Sequence, residues 1–207
     1  MEKLLKDPAA LSRHISQVLC DISPSEFFSG NTDDFPSAVL LLLGPHSEKA
    51  TVSESCVILN KRSRKVRQPG DLCCPGGSMM PLVDPALARL LTLPGFPLTR
   101  WEGWRSWRDR HPDKARQMAI FLATGLRECF EEMRLNPLGV RFLGPLPSQH
   151  LRMFRRVIYP TAEKICPELG SGKNCAYPAE IFAESLILRL LSFAVFSLFG
   201  KKVQPAY

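Results

Sequence analysis

The chain alternates between short, wholly apolar runs and longer stretches in which apolar residues return every three or four positions. Continuous apolar runs of four to eight residues suit buried strands, and the longer spacing suits amphipathic helices. Ser37–Leu43 (SAVLLLL) and Cys56–Leu59 (CVIL) are the first strands this predicts. Val140–Leu143 and Met153–Tyr159 are two more, on either side of a proline-rich turn. Residues 119–135 read as a helix with an apolar stripe of Ile120, Leu122, Ala123, Leu126, Cys129, Phe130 and Met133, stopped at Asn136-Pro137. Near the start, Asp7 as a cap and Pro8 in the first turn open another helix. Strands and helices that alternate in this way indicate an α/β fold.

The stretch 78–118 breaks the pattern and reads as an insertion. Asp84–Leu93 is helical in period, and Pro94, Pro97 and Pro112 interrupt the remainder of the stretch. Trp101, Trp104 and Trp107 fall three residues apart, on one face of a short helix. That face either packs the insertion onto the body or offers a lid on which a ligand stacks. Leu186–Phe199 is apolar over about 14 residues, short of the roughly 20 that span a bilayer. It suits a packed terminal element, with membrane contact as the other reading. The organisation expected is an N-terminal helix and linker (1–30), a main domain (31–165) and an apolar tail (166–207).

Composition narrows the partners. The 207 residues suffice for one domain with a sizeable core, and the net charge of +7 suits an anionic ligand such as a phosphate ester. No block of Lys and Arg interleaved with aromatics is present, so nucleic acid is not the expected partner. The seven cysteines are odd in number and form no CxxC pair, and His14, His46, His111 and His150 share no ligand spacing, which excludes a patterned zinc site. Cys73-Cys74 reads as packed thiols, and Gly170-Ser-Gly-Lys173 lacks the spacing of a phosphate loop. Reduced thiols and the absence of a secretory pattern lead to the expectation of a cytoplasmic protein.

The chemistry is carried by Arg127-Glu128-Cys-Phe-Glu131-Glu132. Glu128, Glu131 and Glu132 stand at i, i+3 and i+4, which share one helix face. Their mutual repulsion disfavours the helix unless a cation lies among them, and clustered carboxylates suit Mg²⁺ or Mn²⁺. Arg127 is placed to hold the carboxylates as a bidentate partner. A solvated acidic face would carry the same residues. The company this helix keeps decides against it: the basic run Lys61–Arg67 leads into Gly70 and then Pro75-Gly76-Gly77, offering charge and exposed backbone N–H groups to phosphates.

Arg127–Leu135 resembles the second half of the Nudix box, G-x5-E-x7-R-E-U-x-E-E-x-G-U, with Gly77 as its opening glycine. Arg127 comes 50 positions after that glycine where the box has 14, so about 36 residues interrupt it. Asp84 is the acid nearest the box's first glutamate, and Arg134 stands where the box has glycine. Leu59–Gly77 is similar to a second motif, L-L-T-x-R-[S/A]-x3-R-x3-G-x3-F-P-G-G, of the coenzyme A diphosphatase branch. Arg62, Ser63, Arg67, Gly70, Gly76 and Gly77 match it, while Asn60 replaces threonine and Cys74 replaces phenylalanine. The resemblance, over about residues 37–160, implies a mixed sheet sandwiched between helices, with an insertion inside the box. It implies attack by metal-activated water on the diphosphate of coenzyme A or an acyl derivative, giving 3′,5′-ADP and the 4′-phosphopantetheine half. Glu131 and Glu132 would hold Mg²⁺ or Mn²⁺, with Glu128 as ligand or general base and Arg127 orienting them. Arg62, Ser63, Arg67, Gly70, Gly76 and Gly77 would bind substrate. ADP-ribose or dinucleotide hydrolysis and a non-catalytic binding module are the alternatives.

Overall fold

The computed structural model describes residues 7–29, 35–45, 55–62, 70–166 and 181–182. The first helix, α1 (Pro8–Cys20), begins where expected: the Asp7 carboxylate accepts from the N–H groups of Ala9 and Ala10, and Pro8 occupies the first turn. A one-turn helix, α2 (Pro24–Phe27), comes next, closed by a reciprocal Ser23–Glu26 capping box.

A mixed sheet forms the centre. Its strands are β1 (Phe35–Pro45), β2 (Ser55–Ile58), β5 (Gly76–Ser78), β6 (Val140–Pro145), β7 (Gln149–Leu151), β8 (Arg156–Ile165) and β9 (Ile181–Phe182). The order is β6-β8-β1-β2-β9; β5 pairs with the first half of β1, and β7 with the start of β8. β1 and β8 run parallel, and every other pairing in the sheet is antiparallel. A separate two-stranded ribbon pairs β3 (Asn60–Lys61) with β4 (Leu72–Cys73).

β1 is apolar on both faces because helices cover both. Leu43, Val57, Leu143 and Ala162 meet the α1 stripe of Leu11, Ile15 and Leu19. Leu40, Leu42, Phe142 and Ile165 meet the long helix α5 (Pro112–Met133) on the other side. The expected sandwich of a mixed sheet between helices is the observed one.

Two expectations are corrected. The long helix begins at Pro112 rather than near 119, because the proline read as a breaker sits in the helix's first turn, where no N–H is needed. The strand placed at Met153–Tyr159 is β8, which starts at Arg156 and continues through Pro160 to Ile165. Proline is tolerated there because the neighbouring antiparallel strands change over at that point: β6 pairs as far as Thr161, and β7 from Ile158 onward.

The tryptophans follow the packing alternative. Residues 78–118 supply α3 (Val83–Leu91), a 3₁₀ turn at Leu98–Arg100 and α4 (Gly103–Arg110) before α5 begins. Trp101, Trp104 and Trp107 are buried in the core between α5 and the sheet. Trp101 meets Phe142 of β6 edge-on at 5.2 Å and Trp107 at 6.0 Å, and Trp107 meets Phe27 of α2 at 6.1 Å. They tie the insertion to the body and are no lid. The Leu186–Phe199 tail and Gly170–Lys173 lie outside the described residues, and no helix among those described is long and apolar enough to cross a membrane.

Candidate active site on the α5 helix

Arg127 lies one turn or more before the end of α5 and is almost wholly buried. Its Nε donates to Asp84 Oδ1 at 2.8 Å and its Nη2 to Asp84 Oδ2 at 3.3 Å, a two-pronged fit of guanidinium to carboxylate. Asp84, on α3, is 0% exposed. Burial alone would raise its pKa, but the Arg127 fork, the Met80 N–H at 2.7 Å and the Thr124 hydroxyl at 2.8 Å hold it below the usual carboxylate range. Arg127 Nη2 also donates to the Ser78 carbonyl at 3.1 Å. One buried pair therefore pins α3, β5 and α5 together. Asp84 is one residue beyond the spacing of the motif, and its role is legible only through this contact.

The remaining prong of Arg127 faces the acidic row. Nη1 donates to Glu128 Oε1 at 3.0 Å and to Glu131 at 3.3 Å. Gly77 lies against Glu128 so closely that a Cβ there would fall on the carboxylate, and a Cβ on Gly76 would fall on the β1 backbone at Ala38 and Val39. The two glycines let the loop pass between strand and helix. Glu132, much of it in contact with solvent, has its carboxyl against the β3–β4 ribbon. Partial desolvation raises its pKa and the Glu128 charge adds to the rise, while the Asn60 amide at 3.0 Å, the Gly76 N–H and the Arg62 charge oppose it. Glu128, Glu131 and Glu132 are thus brought to one side of α5, with Arg127 and Asn60 at the two ends of the row.

The helix ends where the motif has glycine. Arg134 takes the left-handed conformation (φ 58°) and its N–H bonds the Phe130 carbonyl at 3.0 Å. The geometry that glycine would favour is kept with an arginine. On the far side of Arg127, α3 and α5 enclose an apolar groove of about 270 Å³ lined by Leu87, Leu91, Leu126 and Phe130 among others, which offers nothing to a phosphate.

Of the expected substrate residues, Ser63 and Arg67 lie outside the described residues. Arg62 and Gly70 are bonded to each other and to the ribbon: Gly70 N–H donates to Arg62 O at 3.1 Å, and Arg62 N–H to Asp71 O at 2.9 Å. Gly70 has φ 85°, which a residue with a Cβ resists. Arg62 Nε has no hydrogen-bond partner among the described residues. Sequence reasoning missed Arg156, an exposed cation at the start of β8 whose Nη1 donates to Ser37 Oγ at 2.7 Å and Ser78 Oγ at 3.0 Å. It also missed Glu163, 0% exposed in β8 beneath α5, whose two oxygens lack partners and whose pKa burial pushes up to about 8.

A divalent cation fits this row by donor type and by charge. Three carboxylates share a face, and the Glu128 charge adds to the rise of the Glu132 pKa that burial begins. Among the described residues no three acidic, histidine or cysteine side chains already converge on one point, so the fit rests on the donor set.

No family model matches the chain, and no curated protein matches it. Similar solved structures include two Nudix proteins. One is a mutT/nudix family protein from Listeria innocua, 14% identical, covering 83% of this chain and 98% of its own, with a TM-score of 0.42. The other is a NUDIX hydrolase from Alicyclobacillus acidocaldarius, 16% identical, covering 79% and 85%, with a TM-score of 0.41. Likeness at that level leaves function open.

Proposed function

We propose that the chain is a Nudix-type, metal-dependent hydrolase of a nucleoside diphosphate derivative, with coenzyme A or an acyl-coenzyme A as the substrate. The observation that carries the reading is the Asp84–Arg127 fork, which frees one guanidinium nitrogen to hold Glu128 and Glu131 beside the Gly76–Gly77 loop. Such an arrangement fixes acidic side chains in advance of ligand binding, the condition for stabilising charge in a transition state.

Glu131 and Glu132 would hold Mg²⁺ or Mn²⁺, which supplies charge neutralisation for the diphosphate oxygens and makes an attacking water more acidic. Glu128 is held by Arg127 against Gly77, where it serves as a further ligand or takes the water's proton. Arg62, with its unpartnered Nε, binds a phosphate oxygen, assisted by Ser63, Arg67 and the Gly70 turn. Attack at phosphorus breaks the P–O–P bridge; one phosphoryl group gains the water oxygen and the other leaves with the bridging oxygen. Products of the coenzyme A reaction are 3′,5′-ADP and 4′-phosphopantetheine or its acyl form. With no disulfide among the described cysteines the protein suits a reducing cytoplasm.

The test is a panel of coenzyme A, dephospho-coenzyme A, ADP-ribose and dinucleotides, incubated with purified protein and Mg²⁺ or Mn²⁺, with products separated and quantified. Coenzyme A should be cut fastest, and Arg62→Ala should raise KM more for coenzyme A than for the dephospho form. Preference for ADP-ribose or a dinucleotide would keep the hydrolase and overturn the substrate. No turnover of any compound would favour a binding module.

A further inference from the structure

Asn60 stands at the start of the β3–β4 ribbon, opposite Cys73 in the ladder. Its backbone is fixed by that pairing, and its carbonyl also accepts from the Cys73 thiol at 3.7 Å. From there the side chain reaches across to α5, and Nδ2 donates to Glu132 Oε2 at 3.0 Å. The contact joins residues 72 positions apart, so it is a product of the fold rather than of local sequence. We propose that Asn60 is the positioning residue that aims Glu132 at the metal, an inference that rests on the reading of Glu132 as a metal ligand.

The residue type matters. A lysine or arginine at this point would hold the carboxylate by neutralising it and would compete with a cation. A neutral amide restrains one oxygen and leaves the full negative charge for the metal, the part that a hydrogen-bonding partner behind a ligand plays. Glu132 also receives the Gly76 N–H, so the ribbon and the glycine loop fix the carboxylate together. Arg127 performs the corresponding task for Glu128 and Glu131 from the other end of the row. No described contact of Arg127 reaches Glu132, which leaves Asn60 as the side chain that orients it.

The test measures Mn²⁺ affinity without substrate, by the electron paramagnetic resonance signal of free Mn²⁺, in the unaltered chain and in Asn60→Leu, Asn60→Thr, Glu132→Gln and Asn60→Leu/Glu132→Gln. Loss of an orienting partner of this kind costs on the order of 10- to 100-fold in metal affinity, and Asn60→Leu should fall in that range. Asn60→Thr keeps a donor and should retain most of the affinity. In the Glu132→Gln background, Asn60→Leu should have no further effect. At saturating Mn²⁺, substrate KM should be unchanged in Asn60→Leu. Unfolding curves identify any variant that has lost its structure; if Asn60→Leu has done so, Asn60→Ala, which also lacks the donor but adds no apolar bulk, replaces it with the same expected loss. Equal affinity in folded Asn60→Leu and the unaltered chain overturns the proposal, as does an equal loss with and without Glu132. Failure of the unaltered chain to bind Mn²⁺ overturns the metal reading itself, and Asn60's role with it.

Discussion

Asp84 and Glu163 are both wholly buried carboxyls beside α5, and their surroundings drive them to opposite states. Asp84 receives a guanidinium fork, a backbone N–H and a hydroxyl, and stays ionised. Glu163 lies between Leu42 of β1 and Phe142 of β6, beside Cys129 and Cys74, whose thiols burial pushes up to about 12 and about 11. Among the described residues no donor meets either oxygen at full hydrogen-bond geometry; the Thr161 hydroxyl favours the charged form, but burial outweighs it, and Glu163 keeps its proton at neutral pH. Burial alone therefore does not decide charge; the donors supplied by neighbouring elements do. The same contrast separates the side of α5 that sets up the acidic row from the side that packs the sheet.

The largest effect expected from breaking the contrast is on the Asp84 side. Asp84→Ala removes the carboxylate that takes two nitrogens of the buried Arg127 guanidinium and leaves it only Glu128, Glu131 and the Ser78 carbonyl, so the loss of stability should be about 3 kcal/mol in chemical unfolding, the low end for breaking a buried pair. The same substitution releases Arg127 from its fork, so turnover should fall with it. An unfolding midpoint close to that of the unaltered chain would show that Arg127 finds another partner.

Glu163→Met removes an unsatisfied polar group while keeping the volume, and should leave the protein unchanged or more stable by about 1–3 kcal/mol. A loss of stability would mean that the carboxyl has a hydrogen-bonding partner after all. The two acids also give opposite pH signatures. Glu163 titrates near 8 when folded and near its ordinary value when unfolded, so the folded state holds the extra proton between those values. Stability should fall as pH rises through that window, with a limiting slope of about 1.4 kcal/mol per pH unit, and Glu163→Gln should flatten it. Asp84, with a lowered folded pKa, contributes stability at neutral pH that is lost only as pH falls through that lowered value. Its effect should appear at the acid end of the same profile and persist in Glu163→Gln.

The smallest effect serves as a control on the same helix. Arg134→Gly relieves a left-handed backbone at an L-residue and should stabilise by roughly 1 kcal/mol, a shift of about 2–4 °C in Tm, with metal affinity unchanged. A fall in Mn²⁺ affinity would show that the helix end couples to the acidic row.

The same physical differences decide how much of the molecule is legible in the chain. The Asp7–Pro8 start, the β1 run and the Glu128–Glu132 row are readable because each is a local pattern with a local cause. Asp84 is the nearest acid by position, but its fork with Arg127 spans 43 residues and depends on how α3 packs. Glu163 sits in Thr-Ala-Glu-Lys-Ile, an ordinary alternating strand; only pairing on both sides of β8 turns that position into core. Pro112 and Pro160 mislead in a similar way, since a proline stops an element only where its missing N–H is needed. The tryptophan spacing places Trp104 and Trp107 on α4, while Trp101 precedes that helix in extended backbone, and all three rings are buried. Whether they face core or ligand depends on Phe27 and Phe142, which are remote in sequence.

The most direct test of the metal-dependent hydrolase is turnover of coenzyme A with Mn²⁺ by Glu131→Gln and Glu132→Gln. Each keeps the side-chain shape and removes one charge from the row, and each should lower kcat on the order of 10²-fold or more while the unfolding transition is retained. Near-normal turnover in both variants would contradict the account.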